Sequence, residues 1–175
     1  MNLQSTFLLR VAAAIVLMGA SVMPHAAPMR EFTTQSFADI RARHAGRPLV
    51  VHIWAMSCGP CLAELPRWGE LMRKHPDLDL VLVRFDAAPR AASEARLADA
   101  GLARVESWAV SSEPDEYLRA SIDPRWIGDM PRTLLVAPDG AATAIRGVAD
   151  LARVRAWLGE MRDASRRVDG RQRTP

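Results

Sequence analysis

The chain has 175 residues, of which 49% are hydrophobic, 25% charged and 6% aromatic. That length suits one globular domain with a real core, and the composition excludes a collagen-like repeat, a wholly disordered chain and a polytopic membrane protein. The formal net charge is +3, and all but one of the 23 Lys and Arg residues are arginine. The high pI therefore reflects arginine's pKa more than a large positive surplus. Basic residues cluster only at Arg166, Arg167, Arg171 and Arg173, in a stretch, 164–175, that reads as a solvated, mobile end. No nucleic-acid partner is expected, since that would call for a basic face on the folded domain.

Residues 1–27 form a separate object. Arg10 precedes the apolar run Val11-Ala-Ala-Ala-Ile-Val-Leu-Met18, and the small residues Ala26 and Ala27 follow. Counted from Val11 the run has the length of a signal-peptide core. Counted from Phe7 it is near the lower limit for spanning a bilayer. A cleaved signal peptide and an uncleaved N-terminal membrane anchor both remain open, because Pro24 and Pro28 make the cleavage site imperfect. Either reading exports residues 28–163 to a periplasmic or other extracytoplasmic space, where disulfide chemistry is allowed.

The rest of the chain alternates strand and helix patterns without an internal repeat. Ser36 is placed to cap a helix Phe37–Ala45 that Gly46 stops. Pro48–Trp54 is a run of strand formers, apolar on both sides except at His52, which suits a central strand covered on both faces. Residues from Cys58 to His75 give a helix that Pro66 should kink. Leu78–Phe85 reads as the next buried strand, Pro89 opens a helix running to Ala100, and a short strand lies near Val105–Val110. Pro114 opens a helix with Asp115 and Glu116 in its first turn. Thr133–Ala137 and Ala142–Arg146 form a hairpin about Pro138-Asp139-Gly140. Asp150 caps a final helix in which Leu151, Val154, Trp157, Leu158 and Met161 share one face. The order predicts an α/β fold with a mixed sheet.

Both cysteines lie in Trp54-Ala-Met-Ser-Cys58-Gly-Pro-Cys61. A ring this small constrains little unfolded chain, so a shared site is the better reading than a structural staple. A strand ends at Trp54 and a helix begins within the turn. Cys58 therefore sits at a helix N-terminus, where backbone N–H groups and the macrodipole favour a thiolate. Such a thiolate attacks a disulfide, and Cys61 resolves the mixed intermediate. Met56, Cys58 and Cys61 also match M-x-C-x-x-C, a soft-ligand pattern for copper(I) to which His52 could contribute. Pro60 stiffens the loop a copper site would wrap, and a zinc site would need a second cysteine pair. No metal and no further cofactor is expected.

These residues resemble the thioredoxin fold, and within it the exported TlpA/ResA-like thiol:disulfide oxidoreductases. The likeness runs through Gly46–Pro66 and resumes at Gly128–Gly140. It implies a mixed central sheet flanked by helices, with an extra strand–helix insertion over residues 103–122 before the cis-proline. It makes Cys58 the nucleophile, Cys61 the resolving thiol and Pro131 a cis-proline facing the disulfide, with the Met130 backbone available to an extended substrate. Glu64 matches an acidic residue of this branch, suited to taking or returning the Cys61 proton; a solvated helix-surface glutamate is the competing reading. Two positions depart from the pattern. His52 stands where thioredoxins keep a buried aspartate, as a proton carrier or a satisfied structural histidine. Ser57 replaces the aromatic residue usual before the first cysteine.

The resemblance implies protein dithiol or disulfide substrates, a membrane electron-donor protein, and cytochrome c maturation or copper-centre assembly as pathways. Gly-Pro between the cysteines is the dipeptide of reducing thioredoxins and favours a reductase. A disulfide-donating oxidase and a copper(I) chaperone are the alternatives.

Overall fold

The computed structural model describes residues 28–113 and 115–172, so the expected signal peptide or anchor over 1–27, Pro114, and residues 173–175 of the basic end, including Arg173, lie outside the described residues. The elements in chain order are β1 (Arg30–Phe32), α1 (Ser36–Arg43), β2 (Leu49–Trp54), α2 (Gly59–Lys74), β3 (Asp79–Arg84), α3 (Arg90–Asp99), β4 (Glu106–Val110), α4 (Asp115–Ile122), β5 (Arg132–Val136), β6 (Ala142–Arg146) and α5 (Leu151–Gln172). One six-stranded sheet has the order β1-β4-β3-β2-β5-β6. The β2–β3, β3–β4 and β1–β4 pairs are parallel, while β5 and β6 run antiparallel to their neighbours. The expected mixed α/β architecture is therefore present.

Every residue of β2 and β5 is buried, as befits strands covered on both faces. Alternation sends their side chains into two layers. Val50 and Trp54 join Cys61, Leu65 and Trp68 of α2, Leu97 of α3 and Val154 and Leu158 of α5. Val51 and Ile53 join Phe37 and Ile40 of α1, Leu118 and Ile122 of α4, and Trp126. Burying each such large side chain contributes about 1.5–3 kcal/mol. α2 approaches the end of α3 closely at Gly69. A Cβ at Gly69 would lie 1.7 Å from the Ala100 carbonyl oxygen, so only glycine fits that crossing.

Several local expectations change. Ser36 begins α1 rather than capping it, and its hydroxyl instead accepts the Thr33 N–H at 2.9 Å. The α2 helix runs on through Pro66, which is exposed. Asp150 does cap α5, accepting the Ala152 and Arg153 N–H groups at 2.9 and 3.4 Å. That helix continues beyond residue 163 to Gln172. The strand β1 has no counterpart in the sequence reading; it pairs with β4, which separates it from β3.

Candidate redox site

The end of β2 delivers the chain into the cysteine turn. Trp54 is paired with Arg84 of β3, and Ile53 with Arg132 of β5, so Pro131 sits at the same end of the sheet as Trp54. Cys58 is the N-cap of α2, Pro60 lies in its first turn, and the Cys61 N–H donates to Cys58 Sγ at 3.2 Å. The two cysteines are joined by a disulfide with their Cα atoms 5.2 Å apart. Their exposure is unequal: Cys58 is half-buried and Cys61 fully buried. A reagent arriving from solvent meets Cys58 first.

Met130–Pro131 is a cis peptide, and Pro131 is buried. The Pro131 carbonyl accepts the Gly147 N–H at 2.9 Å. Two residues further on, the Ala149 N–H donates to Glu64 Oε1 at 2.8 Å. The loop between β6 and α5 thus bridges the cis-proline and the acid that follows Cys61 by one helical turn. Arg132, next to the cis-proline, is buried over the Trp126 ring and paired with Asp123 at 2.7 Å. Asp129 lies 3.4 Å from Arg132 and also accepts Arg146 Nε at 2.9 Å. These ion pairs fix the segment that carries Pro131.

Glu64 is 1% exposed, so the surface reading of this glutamate is corrected. The reason is helical spacing: Cys61, Glu64, Leu65 and Trp68 fall on the inward stripe of α2. Burial pushes the Glu64 carboxyl above its usual range, against the Ala149 N–H, the Trp68 indole and Arg67, which lower it. Its Oε2 and the Trp68 Nε1 make no hydrogen bond of good geometry, though the indole lies close enough to lower the carboxyl, and Trp54 Nε1 has no partner among the described residues.

His52 lies on the same side of the sheet as Val50 and Trp54, fully buried, its ring 5.0 Å from that of Trp68. Its Nδ1 hydrogen-bonds Thr133 Oγ1 at 3.0 Å, whereas Nε2 has no partner among the described residues. Burial lowers its pKa to about 3. The imidazole is neutral through the ordinary working range, which fits the structural role better than proton carriage.

Met56 and Met130 are partly buried against the core layer that contains Cys61. No group of three or more His, Cys, Asp and Glu side chains that could hold a metal ion occurs among the described residues. No helix among them is long and apolar enough to cross a membrane. The sequence reading missed the acid on the other side of the turn: Asp86 accepts the Ser57 N–H at 3.0 Å and Ser57 Oγ at 3.3 Å. An aspartate just past a buried strand was the available signal.

No family model matches the chain. Protein FixW of Rhizobium leguminosarum is 27% identical over 141 residues, covering 74% of this chain and 61% of that protein. The chain therefore spans less than two thirds of that relative. Among solved structures, a secreted Mycobacterium tuberculosis disulfide oxidoreductase homologous to E. coli DsbE is 18% identical. It superposes with a TM-score of 0.54 over 68% of this chain and 85% of its own. A thiol:disulfide interchange protein of the thioredoxin family from Chlorobium tepidum is 15% identical, with a TM-score of 0.54 over 69% and 83% of the two chains. With a mixed sheet flanked by helices and a two-cysteine turn opening a helix at the end of a central strand, this chain has the thioredoxin fold.

Proposed function

We propose that the protein is an exported thiol:disulfide oxidoreductase, acting as a reductase of protein disulfides through Cys58 and Cys61. The observation that carries the reading is the asymmetry of the pair at the start of α2. Cys58 is half-buried at the helix N-terminus and receives the Cys61 N–H, while Cys61 is enclosed. A thiolate at Cys58 is favoured there by the amide and the helix dipole, and it is the sulfur a substrate reaches.

In the reducing cycle the Cys58 thiolate attacks one sulfur of a substrate disulfide and displaces the other as a thiolate. The Cys61 thiol then loses its proton and attacks Cys58 Sγ. That step releases the second substrate sulfur and leaves the Cys58–Cys61 disulfide. Glu64, raised by burial and one helical turn from Cys61, is suited to receive that proton. The cis Met130–Pro131 peptide, at the same end of the sheet as Trp54, is where an extended substrate segment would lie in this reading. Export follows from the apolar N-terminal run, and a membrane donor of electrons would restore the dithiol. Cytochrome c or copper-centre maturation is the setting proposed for such a reductase.

The test is trapping. Cys61→Ser should accumulate mixed disulfides with substrate proteins through Cys58, and Cys58→Ser should accumulate none. Absence of adducts in both variants would remove the exchange reading. The direction is tested by equilibration with dithiothreitol: a potential near the roughly −270 mV of thioredoxin supports a reductase, and one near −120 mV an oxidase.

A further inference from the structure

A charged pair borders the redox turn and has no part in the exchange steps above. The Phe85 N–H donates to the Trp54 carbonyl at 2.7 Å, so the chain leaving β3 lies against the chain entering the turn. Asp86 follows directly. Its Oδ2 takes both hydrogen bonds from Ser57, the residue immediately before Cys58. Its Oδ1 faces Arg84 Nε at 3.4 Å and accepts the Ala88 N–H at 3.4 Å.

Arg84 is itself fixed. It is 3% exposed, and Nη1 donates to Ser93 Oγ on α3 at 2.7 Å and to the Ala88 carbonyl. Ser93 is fully buried and turns back to the Pro89 carbonyl at 3.2 Å. The carboxylate is thus held with its inner oxygen toward a guanidinium and its outer oxygen toward the cysteine turn.

This orientation acts on one redox state more than on the other. In the disulfide the sulfurs carry no charge, and a neighbouring carboxylate costs them little. On reduction a thiolate develops at Cys58, one residue from a Ser57 N–H already engaged by a negative group. A negative charge bound to the residue before Cys58, and an N–H committed to that charge, both disfavour the thiolate, opposing the helix dipole. A reduced pair that is less favourable is a stronger reductant.

We propose that Asp86, held by Arg84, is a positioning residue that clamps Ser57 and keeps the Cys58–Cys61 pair strongly reducing. It deepens the reductase reading and rests on that pair being redox-active. It also gives Ser57 a reason to stand where an aromatic residue is usual in the resembling family, since serine supplies the second hydrogen bond to the clamp.

The experiment equilibrates the full chain with dithiothreitol buffers and reads the oxidised fraction by thiol alkylation. Asp86→Asn keeps size and a hydrogen-bond acceptor and removes the charge. It should shift the equilibrium constant toward the reduced pair by about three- to tenfold. A value within twofold of the parent chain, or a shift toward the disulfide, would overturn the assignment. Should Asp86→Asn fail to fold, as read by thermal melting of the oxidised form, Asp86→Ala decides instead. It removes the charge and frees the Ser57 N–H, and a shift in the same direction supports the clamp while an unchanged constant rejects it. If the parent chain itself never equilibrates with dithiothreitol, the redox reading fails along with the clamp. If the parent equilibrates and the variants match it, only the clamp fails.

Discussion

The layer between the sheet and helices α1 and α4 is built almost wholly from aliphatic and aromatic side chains, from Phe32 and Ile40 to Leu118 and Val136. Its buried charge, Arg132, lies at the rim with carboxylates on its terminal nitrogens. The layer under α2, α3 and α5 is different. It encloses His52 and Glu64, each with a polar atom lacking a hydrogen bond of good geometry among the described residues. Leaving such an atom unpaired costs about 1–3 kcal/mol. His52 and Glu64, on the side of the sheet that carries Cys61, both have shifted pKa values. One layer carries its titrating groups at the rim, in ion pairs such as Arg132–Asp123, and the other encloses them in its interior, on the side where the proposed chemistry needs protons.

The comparison can be broken most forcefully on the apolar side. Ile40→Ala should cost about 2–5 kcal/mol in guanidinium unfolding, and by the same amount at pH 4.5 as at pH 7. A cost that differed between the two pH values would show that titrating groups govern this layer too.

The next effect belongs to His52. Its folded pKa of about 3 lies below the ordinary 6.5, so folding favours the neutral ring. The stability it confers is complete above pH 6.5 and is lost as pH falls toward 3. Between pH 7 and 4.5 that loss amounts to about 3 kcal/mol. Parallel unfolding curves should show His52→Asn removing most of the acid sensitivity, whatever it costs at pH 7. An undiminished acid loss in the variant would assign the sensitivity to other groups.

The smallest effect has the opposite sign in pH. Burial raises the Glu64 carboxyl, so the folded state favours its protonated form, and that contribution fades as pH rises through its folded pKa. Glu64→Gln keeps an acceptor for the Ala149 N–H and should stabilise the chain at pH 7 by about 1 kcal/mol or less. It should also slow disulfide exchange measured with a protein substrate. Unchanged exchange alongside that gain would leave Glu64 a structural group.

Much of this was legible in the primary structure because it rests on local rules. Apolar runs marked β2, β3 and β5, glycine and proline marked the hairpin, and Asp150 marked the start of α5. The two cysteines between a strand and a helix located the redox turn. The strand β1 was not legible: three residues with one buried side chain have no readable period, and they become a strand only because β4 offers an unpaired edge. Glu64 was half legible, since its spacing from Cys61 puts it on the inward stripe while its charge argues for solvent. Packing decided between them by supplying the Ala149 N–H from a distant loop. The Asp86–Ser57–Arg84 contact was closed to sequence reasoning for the same reason. The order of side chains along the chain determined which elements form and where the sulfurs sit. Which charges those sulfurs meet depends on neighbours brought together by strand pairing, and only the tertiary structure sets those.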